Sequence, residues 1–202
     1  MSSLADNVLP PLGLRERKKA KTLAAIQTAA LRLFKEQGYD ATTIEQIAAA
    51  AEVSPSTFFR YFPTKEDVVL LDLTDPLVVD AFKAQPPELS AIQALRNAWR
   101  SVFEQLPDDE FEVIRQREEL IYANSELRAR MLDEIASTIG LVATLVAERA
   151  GRSADDFDVR VFAGALMGVA FGLVLTTPGS SAKEQLALVD AGFEQLEKGV
   201  KL

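Results

Sequence analysis

Neither cysteine nor histidine occurs in the 202 residues. Without a thiol or an imidazole there is no Cys-His or Ser-His-Asp arrangement, no disulfide, and none of the ordinary thiolate or imidazole zinc ligands. Most hydrolase mechanisms go with them, as does thiol redox sensing, and neither a metal nor a cofactor is expected. A chain free of cysteine suits a reducing compartment, so the expected location is the cytoplasm. No β-alternating run, internal repeat or low-complexity tract is found either. The opening stretch has two prolines and no apolar period, and it lacks the basic start and apolar run of a secretory signal. It is read as a flexible tail over residues 1–14.

Positive charge is scarce, with 22 Lys and Arg against 30 Asp and Glu for a net charge of −8. A deficit of that size argues against nucleic acid only if it is spread evenly. It is not: the acidity lies beyond residue 67, and residues 1–67 carry nine basic against eight acidic groups. Arg15, Arg17, Lys18, Lys19 and Lys21 stand against Glu16 alone, a basic arm leading into a helix.

What the chain has in quantity is apolar residues at helical spacing, 48% of the whole. Leu23, Ile26, Ala30, Leu33 and Phe34 mark one face of a first helix from Arg15 to Gln37, and Gly38 stands at its stop. Thr42 or Thr43 caps a two-turn helix with Ile44, Ile47, Ala48 and Ala51 on its inner face. Val53-Ser54-Pro55 breaks it, and a second short helix runs from Pro55 to Tyr61 with Ser54 as cap. Thr64 caps a connector from Lys65 to about Thr74. Helices then follow over 88–106, 108–122, 125–150, 155–176 and 180–199, joined by short links, which predicts an all-α chain with an antiparallel C-terminal bundle. The seventeen uncharged residues from Val161 to Thr177 fall short of the roughly twenty needed to span a bilayer and lack a basic C-terminal flank. They are read as a fully buried bundle helix. The boundaries that follow are a helix-turn-helix domain over 15–63 and a second domain over 64–202.

The stretch from Ile44 to Tyr61 meets the physical needs of a helix-turn-helix. Two short helices cross steeply only where the contact is small, and Ala48 supplies that; Ala51, Val53, Phe58 and Tyr61 complete a miniature core. The second helix then presents Ser54, Ser56 and Thr57 outward, followed by Phe59, Arg60 and the phenol of Tyr61, and the small hydroxyls allow close approach to base edges in a major groove. Arg60, Tyr61 and Lys65 are groups able to hold the phosphate backbone.

The run Thr42-Thr43-Ile44 through Ile47-Ala48, then Val53-Ser54-Pro55-Ser56-Thr57-Phe58-Phe59-Arg60-Tyr61-Phe62-Pro63-Thr64-Lys65-Glu66, resembles the DNA-binding signature of the tetracycline-repressor (TetR) family. The resemblance covers about Lys19 to Val69. It implies an all-helical homodimer, usually a repressor, that binds a palindromic double-stranded operator through three N-terminal helices and a small effector through a C-terminal bundle. Carried over to this sequence, Thr43, Tyr61 and Lys65 contact phosphate. Ser54, Ser56, Thr57 and Phe58 belong to the recognition helix, Arg60 lies beside the backbone, and Arg15, Arg17 and Lys18 form the arm. Two positions depart from the family's pattern, since Glu52 and Ser56 stand where glycine is frequent. A left-handed backbone at Glu52 carries strain of about 1 kcal/mol.

In the C-terminal half, Gly164, Gly168 and Gly172 recur every four residues on one face of an apolar helix and open a groove for a neighbouring backbone. Their alternatives are packing inside one subunit and, as the resemblance implies, the dimer interface. Trp99 and Phe103 lie one turn apart on a stripe with Ile92, Leu95 and Leu106. With Tyr122, Met131, Met167 and Phe171 they are the candidate lining of an effector cavity, an expectation that comes from the resemblance. The Phe-Phe-Arg-Tyr-Phe-Pro-Thr-Lys-Glu-Asp form of the signature is similar to members whose effectors include long-chain acyl-CoA, so the expected ligand is apolar. Two readings compete. One is an enzyme using Asp108-Asp109-Glu110 or Asp155-Asp156-Asp158 as paired carboxylates, although acids at helix starts are expected from the dipole alone. The other is a helical adaptor without DNA, against which the basic arm and Lys65 stand.

Overall fold

Gly38 adopts φ +91°, a conformation open to glycine and costly for other residues, and its amide closes the first helix on the Phe34 carbonyl at 3.0 Å. That helix, α1 (Leu14–Gln37), is the first of ten in the computed structural model, which describes residues 14–177 and 181–200. All but the last residue of the expected tail, and the expected helix start at Ser180, lie outside the described residues. The others are α2 (Ile44–Ala50), α3 (Pro55–Tyr61), α4 (Lys65–Leu70), α5 (Asp75–Lys83), α6 (Ala91–Phe103), α7 (Asp108–Ala123), α8 (Ser125–Ala150), α9 (Phe157–Thr176) and α10 (Ala182–Lys198). No strand occurs among the described residues.

Capping explains most of the boundaries. Thr43, Thr64, Ser90 and Ser181 each accept from the amide three residues on, and the Gln or acid at that third position reaches back to the cap amide. Ser90 therefore starts α6 at Ala91, three residues later than the periodicity places it.

The described chain divides into two compact units, residues 1–73 with 106–131 and residues 74–105 with 132–202. The division expected at 63/64 is thus not where packing separates: α4 and α7 belong with the first three helices. In this unit α1 packs on α2, α4 and α7, and α3 on α2. The core between them is built on Ile26, Phe34, Ile47, Phe58, Phe62 and Val68, all buried. In the second unit α6 packs on α5 and α10, and α9 on α10, around Ile92, Ala163, Leu166, Val189 and Phe193. Arg96 of α6 fastens α10 by ion pairs with Asp190, Glu194 and Glu197 at 3.3, 3.1 and 3.0 Å.

Two expectations are corrected. The connector ends at Leu70, not Thr74, and a further helix, α5, follows the break. α9 is not fully buried. Val159, Ala163 and Leu166 are covered, while Phe157, Val161 and Leu175 on the other side are 80, 53 and 45% exposed. Length and apolar composition suit a membrane or core helix equally. What the sequence concealed is that the side of α9 carrying Phe157, Val161 and Leu175 is largely exposed among the described residues.

The turn between α2 and α3 holds Glu52 at φ 55°, the single non-glycine residue with positive φ among those described. Its left-handed backbone costs about 1–2 kcal/mol. Glycine removes that strain but adds about 0.5–1 kcal/mol of unfolded-state freedom. Glu52→Gly is therefore expected to stabilise the chain slightly, by at most about 1.5 kcal/mol. Urea unfolding checks this, and a loss of stability contradicts it.

Candidate DNA-binding and effector sites

Thr43 and Ser54 sit at the two helix starts that a helix-turn-helix directs at DNA. The Thr43 hydroxyl accepts from the Gln46 amide at 3.3 Å, and Gln46 Oε1 accepts from the Thr43 amide at 2.9 Å. Ser54 Oγ accepts from the Thr57 amide at 3.0 Å and donates to Thr57 Oγ1 at 2.9 Å. Both residues thus fix their helices while Thr43, Ser54 and Ser56 remain exposed. Arg60 is exposed too, its guanidinium 5.0 Å from the centre of the half-buried Tyr61 ring. Arg15, Arg17 and Lys18 are exposed on the first turns of α1.

Phe58 is corrected. It is fully buried and stacks in a tilted pair with Phe62 at 5.9 Å, so it supports the recognition helix from within. The neighbouring Phe59, which the sequence places on the outer side without counting it as a contact, is the aromatic that faces out, 50% exposed. The signal was available: Phe58 and Phe62 are four residues apart and share the inner face, which turns Phe59 to the other side.

Lys65, expected at a phosphate, is engaged within the unit. Its ammonium donates to the Tyr39 carbonyl at 2.9 Å and to the Thr42 carbonyl at 3.2 Å, and lies 4.2 Å from the Tyr39 ring centre. It ties the α1–α2 connector, including the residue before Thr43, to the start of α4. Two of its three N–H groups are engaged in this way, which leaves one for an outside partner. Tyr39 donates to Glu66 Oε1 at 3.0 Å. Burial, and then the Glu66 carboxylate, push the Tyr39 phenol above its ordinary value, so it stays a donor. Arg130 of α8 pairs with Asp67 at 2.8 Å and donates to Thr64 Oγ1 at 3.0 Å.

The six candidate effector residues are divided between the two units. Trp99 and Phe103 do meet, with ring centres 4.4 Å apart, and Trp99 stands edge-on to Phe193 at 6.0 Å. The Trp99 Nε1 atom is buried and has no hydrogen-bond partner among the described residues. Tyr122 and Met131 belong to the first unit, where Met131 packs on the core and Tyr122 is 40% exposed. Met167 and Phe171 are half-buried on α9, outside the cluster that holds Trp99.

The glycines give a clear answer to one of their two alternatives. A Cβ added at Gly164, Gly168 or Gly172 would meet no atom of the described residues within 4 Å, leaving out α9's own backbone. They are not points of close packing inside the subunit, and by helical spacing they share the uncovered side of α9 with Phe157, Val161 and Leu175. Beside them a cleft of about 700 Å³ lies between α8 and α9, lined by Ile139, Gly140, Ala143, Phe157, Arg160 and Val161 among others.

The acidic runs start helices or pair on the surface. Arg152 bridges Asp156 at 2.8 Å and Asp158 at 2.9 Å. Burial, and then Asp109, push the Glu110 carboxyl up to about 7. That shift alone would suit an acid–base group.

A model of the bacterial regulatory proteins of the tetR family matches residues 26–71, and one of the MftR C-terminal domain matches residues 89–201, over half the chain. The chain belongs to the TetR family. It is 36% identical over 151 residues to the HTH-type transcriptional regulator TcmR of Streptomyces glaucescens, covering 71% of this chain and 67% of TcmR. It is 28% identical over 196 residues to MftR of Mycobacterium tuberculosis, a regulator named for mycofactocin biosynthesis, covering 90% of this chain and 96% of that one. Among solved structures, Thermus thermophilus FadR, a TetR-family repressor in complex with lauroyl-CoA, matches with a TM-score of 0.52 and 26% identity. That match covers 89% of this chain and 95% of FadR. This TetR-family protein is a DNA-binding transcriptional regulator and not an enzyme.

Proposed function

We propose that this regulator is a cytoplasmic homodimeric repressor that holds a palindromic operator and is released from it by a small, largely apolar effector. The observation that carries the reading is the first unit's geometry: a recognition helix fixed by buried Phe58 and Phe62, whose outer side offers Ser54, Ser56, Phe59 and Arg60. Thr43, Tyr61 and the third N–H of Lys65 take phosphates, as do Arg15, Arg17 and Lys18; Ser54, Ser56 and Thr57 face base edges, and the Phe59 ring suits a thymine methyl group. The dimer forms through the uncovered side of α9, with Gly164, Gly168 and Gly172 admitting a second copy's backbone.

The effector binds in the second unit at Trp99 and Phe103. The lauroyl-CoA complex of the FadR relative supports an acyl chain, and the buried Trp99 Nε1 supports a carbonyl or carboxylate beside it, because an unsatisfied buried donor costs about 1–3 kcal/mol. Selection of genomic fragments by the purified protein tests the whole reading: recovery of a palindrome, released by lauroyl-CoA or another acyl-CoA, supports it. Recovery of no sequence sinks it.

Contacts of different kinds predict different losses. Arg60→Ala is expected to weaken operator and unrelated DNA alike and to reduce the salt slope by about one unit, because phosphates carry no sequence information. Phe59→Ala is expected to lower the ratio between the two affinities. Lys65→Ala should do more than remove one phosphate contact, since it also releases the Tyr39–Thr42 connector. Titrations at two salt concentrations separate these cases, and an unchanged ratio for Phe59→Ala removes that residue from base reading.

A further inference from the structure

A buried amide or hydroxyl in a folded chain is hydrogen-bonded as a rule, and an exception calls for a reason. In the first unit Gln27, Thr42 and Arg117 follow the rule. Gln27 Nε2 donates to the carbonyls of Val68 and Leu71 at 2.9 and 3.0 Å, and Thr42 Oγ1 to that of Gly38 at 2.7 Å. Arg117 donates to the carbonyls of Val69 and Leu70 at 2.7 and 3.0 Å. The second unit holds two exceptions. One is Trp99, whose buried Nε1 has no partner among the described residues. The other is Gln185 of α10, 7% exposed, whose carboxamide makes no hydrogen bond among the described residues. By helical spacing Gln185 lies on one stripe of α10 with Val189 and Gly192. Val189 is fully buried, and a Cβ on Gly192 would strike Val169 and Leu173 of α9, so this stripe faces the unit's interior. Two turns beyond Gln185, about 12 Å along the axis, Phe193 stands edge-on to Trp99. The two unsatisfied groups thus belong to one interior, that between α6, α9 and α10.

We infer that Gln185 is a second recognition point for the effector proposed at Trp99, and that this effector is an uncharged acyl derivative with two separate polar groups. The indole N–H takes the carbonyl next to the acyl chain. The Gln185 carboxamide, which both donates and accepts, takes an amide or hydroxyl farther along the same molecule. The absence of charge follows from α6. Arg96 and Arg100, which flank Trp99 in the sequence, are both spent on carboxylates of α10: Arg96 on Asp190, Glu194 and Glu197, and Arg100 on Asp190 at 2.6 Å. Neither guanidinium is left for a ligand carboxylate, and burying an unpaired carboxylate is far more costly than burying a carbonyl. An ester or thioester is accepted there and the free acid is refused. The inference rests on the reading of Trp99 as the effector site, and it narrows the ligand group from carbonyl or carboxylate to carbonyl.

Three ligands test it in the full-length protein, with Trp99 emission as the readout of binding. Lauroyl-pantetheine carries a thioester and amides, methyl laurate a single ester, and laurate at about pH 8 a carboxylate. Both uncharged ligands are expected to bind, and laurate at least about tenfold more weakly than either. Gln185→Leu should lower the affinity for lauroyl-pantetheine by about three- to tenfold, the worth of one net hydrogen bond, and leave that for methyl laurate unchanged. Its melting temperature should hold or rise, because an unsatisfied amide gives way to an apolar group of similar size, and Gln185→Met should behave alike. Laurate binding as tightly as methyl laurate overturns the uncharged ligand and leaves the effector reading standing. Equal losses for both esters, no loss for either, or variants that melt lower overturn the role of Gln185. If none of the three ligands moves Trp99 emission, the acyl reading at Trp99 falls and the inference with it.

Discussion

Gly168→Leu is expected to give a folded monomer that no longer holds its operator. Within one chain a Cβ at this exposed position meets none of the described residues within 4 Å, leaving out α9's own backbone. It also replaces the poorest non-proline helix former by a good one, a gain of up to about 1 kcal/mol. The single subunit should therefore melt no lower than before. If a second copy lays its own helices against this side of α9, the isobutyl group enters a close backbone contact and forces it apart. A regulator that holds two half-sites about 34 Å apart then loses the second as an intramolecular event. The cost is about 10²–10⁴ in operator affinity.

Gly192→Leu is the matching control. A Cβ at Gly192 comes within 2.6 Å of Val169 Cγ1 and 2.7 Å of Leu173 Cδ1, so the damage there is inside the subunit and should appear first as lost stability. Sedimentation and operator titration of both variants decide the matter. A Gly168→Leu protein that stays dimeric with normal affinity places the interface elsewhere.

The glycine spacing shows where sequence was sufficient and where it stopped. Regular local chemistry was legible: Gly38 at a helix stop, Ser54 and Pro55 at a helix start, Thr64 as a cap and the apolar faces of α1 to α3 all act through residues within one or two turns. The Glu52 departure from the family's glycine was legible for the same reason, and its φ of 55° is the strain that departure implied. What escaped depends on distant partners. The connector's end is set by Gln27 and Arg117, whose bonds to it span 41 to 48 positions, and nothing near Leu71 announces them. Seventeen uncharged residues in α9 report that water is excluded but not which molecule excludes it. The helical period already separates Phe58, on the inner face with Phe62, from the outward Phe59, so counting Phe58 among the DNA contacts as the resemblance implies conflicts with its place in the miniature core.

An apolar effector bound at Trp99 is expected to lower operator affinity and to report itself in the fluorescence of this single tryptophan. Linkage requires operator DNA to weaken effector binding by the same factor, typically about 5–150-fold. The informative variant is Trp99→Phe. Alanine would empty a site packed on Phe103 and Phe193 and cost about 3–5 kcal/mol, so its failure to respond could mean only a damaged bundle. Phenylalanine keeps an aromatic ring in that packing and removes the one buried donor that has no acceptor among the described residues. Relief of that unsatisfied group, worth about 1–3 kcal/mol, opposes the loss of ring area, so stability should change little. Affinity for an acyl-CoA or a fatty acid should fall by about three- to tenfold, the worth of one net hydrogen bond, while operator affinity without effector stays the same. Equal effector affinity in the two proteins would show that the indole N–H meets no ligand acceptor. A panel of acyl-CoAs, fatty acids and other apolar metabolites that neither alters Trp99 emission nor releases the operator would remove the acyl assignment itself. Because the variant changes one donor and the panel changes the ligand, the two results separate an error about the contact from an error about the effector.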